Sequence, residues 1–283
     1  MISRRAITIG VVLLLLAVTS ASLAQWRRGR ERSRNRDDRA GVPKWENEEG
    51  FEDDVFTFVR IRYDSGGGRG WGRRGGGWRT DHPNSDYNFS YRLQQLTSLK
   101  VNPDPVILEL TDDELFDYPF IYIIEPGSLV FREDEVTALR KYLLNGGFLM
   151  VDDFWGDSQW QNFYEQIKRV FPDREPVELD IDHEIFRCVY RLKEKPQVPS
   201  INSAIYGRES GITWEPYHDG DTQTVHFKGI FDDQGRMMAI ICHNTDLGDG
   251  WEEEGVDKWY FHEFAENKSY PMGINIITYA MTH

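Results

Sequence analysis

Apolar positions in this chain fall into short runs, separated by segments whose apolar residues recur at helical spacing. The clearest case spans residues 120–157. Phe120–Ile124 is an unbroken run of aromatic and β-branched residues, as a strand covered on both faces requires. Glu133, Asp134 and Glu135 then put negative charge where a helix's first turn carries the positive end of its dipole. Val136, Leu139, Tyr142 and Leu143 form one apolar stripe, and Gly146-Gly147 supplies the stop. Phe148–Val151 is a second buried strand, running straight into Asp152-Asp153-Phe154-Trp155-Gly156. Strand, helix and strand in this order predict a right-handed parallel crossover. Ligands of open parallel sheets sit beyond the carboxyl ends of the strands, so Glu125 and the turn at 152–156 are expected to share a site there.

Similar patterns flank this unit. Val55–Tyr63 mixes Phe56, Phe58 and Ile61 with Arg60 and Arg62, predicting a strand with one face partly polar. Phe89, Leu93, Leu96 and Leu99 predict a helix over 87–99, capped by Ser85 or Asp86. Val106–Leu110 reads as a short strand and Asp112–Leu115 as a polar turn or one-turn helix. Ser158 with Gln161 fits a capping box, ahead of a helical face made by Trp160, Phe163, Tyr164, Ile167 and Val170. Val177–Leu179 and Ile185–Tyr190 are strand-like, and Met237–Cys242 is another buried strand. Residues 200–231 read as an irregular excursion over the site, 247–267 as a partly mobile acidic stretch, and Pro271–Met281 as a closing helix. Strands alternating with helices predict one three-layer α/β domain over 55–283, with a mostly parallel central sheet.

The amino terminus changes the picture of where the domain works. Met1–Ala24 has a basic start, an apolar run from Ile7 to Val18 and the small-residue ending Ser22-Leu23-Ala24. This predicts a signal peptide cleaved after Ala24 and a periplasmic or cell-envelope location; the rival is a membrane anchor over residues 7–24. Residues 25–54 pass from arginine-rich to acidic with few apolar positions, which predicts a disordered linker able to touch a membrane surface. A formal net charge of −14 argues against nucleic acid as a partner. The expected partner is an unidentified small ligand or protein, and the cofactor is left open. Gly70-Trp71-Gly72-Arg73-Arg74-Gly75 is formally a GxGxxG, but no helical pattern follows it, so it reads as a glycine/arginine insertion.

The candidate chemistry is acidic. Asp152, Asp153 and Glu125 could form an acid/base pair, or hold a divalent metal with His183 or His243. The competing structural reading has both aspartates capping backbone N–H groups of the turn. Glu125, Asp152, Asp153, Phe154, Trp155 and His183 are the ligand-binding candidates; Asp152, Asp153, His183 and His243 are the catalytic ones. Trp155, Trp160, Trp214, Trp251 and Trp259 add aromatic planes of the kind that stack on sugars. Three functions follow: a binding or interaction domain, a hydrolase built on Asp152 and Asp153, and a carbohydrate-binding or carbohydrate-processing domain.

Five stretches carry a resemblance to a known family. They are residues 56–64, residues 91–99, Gly146-Gly147-Phe148 through Asp152-Asp153-Phe154-Trp155, His183-Glu184-Ile185-Phe186, and Pro271-Met272-Gly273-Ile274-Asn275. In these the chain resembles the bacterial DUF4159 family, a domain of unknown function. The resemblance implies a class I glutamine amidotransferase-like fold, which is a flavodoxin-like α/β sandwich. It does not bring the amidotransferase reaction with it. That chemistry needs a Gly-x-Cys-x-Gly elbow and a His-x-Glu pair, whereas the corresponding strand end is Val151-Asp152-Asp153-Phe154. Cys188 falls within a predicted strand, Cys242 has no flanking glycine, and His262-Glu263 is adjacent rather than spaced. The expectation is therefore a non-glutaminase.

Overall fold

Strands buried on both faces must be covered by helices above and below, and the chain alternates accordingly. The computed structural model describes residues 39, 41–47, 50, 55–66 and 77–283. The chain divides into two units, and every element named below belongs to the second, Val42–His283. β1 (Val59–Ile61) and β2 (Asp64–Ser65) precede helix α1 (Asn84–Leu96). β3 (Val106–Leu108), β4 (Phe120–Ile124) and β5 (Leu129–Val130) lead to α2 (Glu133–Leu144). β6 (Phe148–Asp152), α3 (Gly156–Val170), β7 (Val177–Glu178) and α4 (Ile201–Gly207) come next. β8 (His226–Phe231), β9 (Met237–His243), α5 (Leu247–Glu252) and α6 (Tyr270–Thr282) complete the described chain.

Seven strands form one sheet in the order β3-β1-β4-β6-β9-β8-β7, and β2 pairs separately with β5. β3, β1, β4, β6 and β9 are mutually parallel, while β8 runs antiparallel to both its neighbours. Numbered in chain order, the parallel strands run 2-1-3-4-5, the flavodoxin-like arrangement, whose switch point lies between β1 and β4. Alternate residues of each strand feed opposite layers. Tyr122, Met150 and Ile240 pack with Trp251, Met272 and Ile276 from α5 and α6. Ile123, Val151 and Ile241 face the other way, onto Leu139 and Leu143 of α2 and Phe163 and Ile167 of α3. The predicted α/β three-layer sandwich is thus what the chain forms.

Several local expectations are corrected. Arg60 gives β1 no polar face: it is fully buried, and its Nε donates to the Asp86 carboxylate at 3.0 and 3.1 Å. Ser85 and Asp86 accordingly lie inside the first turn of α1, serving Arg60 and not the helix terminus. Ser158 and Gln161 make no capping box: Ser158 is bonded to Asp219, and Gln161 donates to Glu165. Ile185–Tyr190 is not a strand, since a 3-10 turn over Glu184–Phe186 is followed by loop. The excursion at 200–231 contains α4 and β8. Residues 247–267 are packed: Trp251 and Tyr260 are fully buried, and a π-helical stretch, Phe261–Ser269, runs on into α6. Cys188 and Cys242 are separate free thiols, as two cysteines in different apolar stretches suggest, with Cys242 buried and Cys188 half-buried.

Among the described residues no helix is long and apolar enough to cross a membrane. The predicted signal segment, the predicted linker apart from residues 39, 41–47 and 50, and residues 67–76 of the glycine/arginine insertion lie outside the described residues.

Candidate functional site

Three parallel strands end in the same unusual way. The residues directly after β4, β6 and β9 are Glu125, Asp153 and Asn244, with φ of 47°, 56° and 59°. Asp81, in the connection from β1 to α1, has φ of 61°. Left-handed backbone is uncommon outside glycine, although Asp and Asn tolerate it best. Each strand end is tied down. Tyr63 Oη donates to the carbonyls of Ile124 and Glu125 at 2.7 and 2.6 Å. Asn244 Oδ1 accepts from Gly156 N at 2.9 Å, and its Nδ2 donates to the carbonyls of Asp221 and Thr224. Arg60 donates to the carbonyls of Trp78 and Thr80 at 3.0 and 2.9 Å, fixing the segment that delivers Asp81.

A cavity of about 370 Å³ opens at these strand ends, lined by Asp81, Glu125, Asp153, Glu215, Asp246 and Asp249 together with Thr80, Trp155, Ser200, Tyr217 and His218. No lysine or arginine is among the described residues that line it. Burial is the main cause pushing the Asp81, Glu125, Asp153 and Asp246 carboxyls up, and mutual repulsion adds to it. Asp249 is pushed up to about 7, chiefly by burial. Glu215 goes the other way: burial raises it, but hydrogen bonds from His218, Ser200 and Tyr217 outweigh that and hold it low. Such a set cannot be fully ionised without a compensating positive charge, so it takes up protons or a cation.

One basic group does belong to the cavity. His218 Nε2 is 3.1 Å from Glu215 Oε2, and His218 Nδ1 is 3.3 Å from Gln159 Nε2. With Gln159 as donor to Nδ1, Nε2–H points at the carboxylate, the geometry of a carboxylate-oriented acid/base. Tyr217 Oη also donates to Glu215 Oε2, at 2.5 Å.

Of the residues singled out in the sequence, Glu125, Asp153 and Trp155 line the cavity. Trp155 is almost completely buried and offers no stacking face; its Nε1–H donates to Asp153 Oδ1 at 3.2 Å. Asp152 lies beneath, fully buried, its Oδ2 accepting from Tyr122 Oη at 3.2 Å and Gly248 N at 3.0 Å. Phe154 is core, packed on Trp160, Phe163 and His243. His243 is buried beside it with Nε2 3.1 Å from the Gly156 carbonyl, and is not a cavity residue. His183 sits elsewhere, against Phe231 and Tyr279, accepting from Ile185 N. Neither cysteine lines the cavity: Cys242 is core within β9, and Cys188 Sγ donates to the Asn275 carbonyl.

Asp81, Glu215, His218, Asp246 and Asp249 were not singled out in the sequence. Asp246 was within reach of the strand-end rule, because His243-Asn244-Thr245-Asp246 follows β9. Asp249 then falls one helical turn further on, and Asp246 caps that turn by accepting from Asp249 N at 2.7 Å. Asp81, Glu215 and His218 arrive on loops whose placement no local pattern encodes.

A family model described as a domain of unknown function (DUF4159) matches residues 57–281. No curated protein matches the chain.

Proposed function

The chain belongs to the DUF4159 family, whose description assigns no activity, and from that premise we propose that it is a non-glutaminase binding domain whose acidic cavity takes a positively charged ligand. One observation carries this reading: six carboxylates line a single cavity at the carboxyl end of the sheet, with no lysine or arginine among the described residues that line it. Such an environment attracts cations and repels anions. Thermal-shift titration of the purified chain with divalent metal ions, spermidine, simple sugars and nucleotides tests it. Stabilisation by a cation, reduced in Glu125→Gln and Asp153→Asn, is the expected result. Stabilisation by nucleotides alone would count decisively against it.

A second reading, a carboxylate-dependent hydrolase, is favoured by His218 and Glu215 bordering the same cavity as Asp153. There Asp153 would act as base or nucleophile and His218 as proton carrier. Turnover of a chromogenic ester or glycoside lost in His218→Gln, with folding intact, would move the domain into that class. We also propose export to the cell envelope on the strength of residues 1–24; amino-terminal sequencing of the mature protein that begins at Met1 would remove that proposal.

A further inference from the structure

At the edge of the acidic cavity two of its lining carboxylates, Asp81 and Asp249, meet a third from outside the lining, Glu252. Asp81, Asp249 and Glu252 each bring an oxygen to within 4.8 Å of the other two. Asp249 and Glu252 are three residues apart on α5, so they rise from one face of it. Asp81 comes from a separate segment, the left-handed turn ahead of α1.

Asp81 supplies the independent sign that something is held here. The residue is 8 % exposed, and its Oδ2 has no hydrogen-bond donor. A buried carboxylate oxygen without a donor is a costly thing to leave in a fold. The nearby cation cannot serve it. Arg60 has five N–H donors, and they go to the carbonyls of Trp78 and Thr80, the Ser85 hydroxyl and the Asp86 carboxylate. Asp81 Oδ2 packs closely against Gly248, where an added Cβ would lie 2.5 Å from it, so only a glycine at 248 lets Asp81 sit here.

We propose that Asp81, Asp249 and Glu252 form a site for a hard divalent cation, Ca²⁺, Mg²⁺ or Mn²⁺, at the edge of the acidic cavity. This rests on the cation-binding reading of the cavity and names the cation. Three carboxylates with no imidazole or thiolate are the donors such ions select. Asp81 and Asp249 line the cavity, so the coordination positions on that side face open volume. Water or an oxygen-bearing ligand fills them, which makes the ion the bridge between an acidic protein and a ligand that is itself anionic or hydroxylated.

Isothermal titration of the full chain, stripped with chelator, with CaCl₂, MgCl₂, MnCl₂ and separately spermidine tests the site. Asp81→Asn, Asp249→Asn and Glu252→Gln are the variants. Asparagine tolerates the left-handed backbone at 81, and Glu252 is only partly buried, so at least these two variants keep their shape. One metal ion per chain, weakened tenfold or more in Asp81→Asn and Glu252→Gln with circular dichroism unchanged, is the expected result. Metal binding unaffected by these variants overturns the site. Spermidine binding without metal binding overturns it too, while leaving the cavity's preference for cations standing. Binding of neither overturns both, and assigns the close carboxyl pair of Asp81 and Glu252 to a shared proton.

Discussion

Arg60 of β1 and Asp86 of α1 form an ion pair whose side chains are 0 % and 1 % exposed, so the first strand is joined to the first helix by a charge contact inside the apolar layer. The Tyr122 ring lies 5.2 Å from the guanidinium carbon and covers one side of it. Burial alone would make the guanidinium easier to deprotonate, but the neighbouring Asp86 carboxylate outweighs it and holds the group charged.

Removing one partner strands the other. Asp86→Ala is expected to cost about 3–5 kcal/mol, the usual penalty for an uncompensated buried charge. Replacing both residues with apolar ones of similar size should restore most of that. The double variant should still lose cation affinity in the cavity, because Arg60 also anchors Trp78 and Thr80 next to Asp81. Urea denaturation, together with cation titration of the double variant, checks both halves.

Acid should destabilise the domain through His243. Burial pushes this imidazole down to about 4, with His226 and Lys228 acting in the same direction and Asp221 and the Gly156 carbonyl opposing. A folded pKa below the unfolded one gives stability that is present above about 6.5 and lost as pH falls toward about 4. The loss amounts to roughly 3 kcal/mol. In His243→Phe the denaturation midpoint should change less across that window than in the parent; parallel curves would show that the ring does not titrate there.

Asp152 predicts the opposite slope. Burial raises its carboxyl to about 7, against the hydrogen bonds from Gly248 N–H and Tyr122. A raised folded pKa gives stability that is complete below the unfolded value of 3.8 and is lost as pH climbs through about 7. The loss is on the order of 4 kcal/mol. Asp152→Asn should therefore gain on the parent between pH 5 and pH 8, as read from urea midpoints at the two values.

Gly156 opens α3 with φ of 72°, and a Cβ there would sit 2.0 Å from the Asp219 carbonyl oxygen. That carbonyl accepts from Asp157 N, and the Asp219 carboxylate binds Ser158, so this loop closes the helix's amino end. Gly156→Ala should cost about 2 kcal/mol or more from backbone and contact strain together. It should also loosen the 215–218 segment, seen as faster amide exchange there.

The central sheet was legible because its strands are unbroken apolar runs, and a run such as Phe148–Val151 has one place to go. Glu125 and Asp153 were legible for the same reason, since strand ends in this architecture face the site. Arg60 was not: a charged residue in an apolar run predicts a solvent-facing side, and only the approach of Asp86 from a separate helix reverses that. The acidic stretch after β9 reads as mobile by the same logic, yet Trp251 and Tyr260 carry it into the core and Asp249 is buried with them. His183 and His243 were plausible partners by chemistry, yet one lies away from the cavity and the other is sealed behind Phe154.

The left-handed turns at Asp81, Glu125 and Asp153 set two demands on the chain against each other. Glycine at any of the three positions would relax the backbone, and each such change would remove a carboxylate from the cavity. Backbone relaxation taken alone favours glycine there, whereas the acidic lining of the cavity requires the strained residue. On the proposed cation-binding role, the most stable version of this domain and the one best equipped for that role are therefore different sequences.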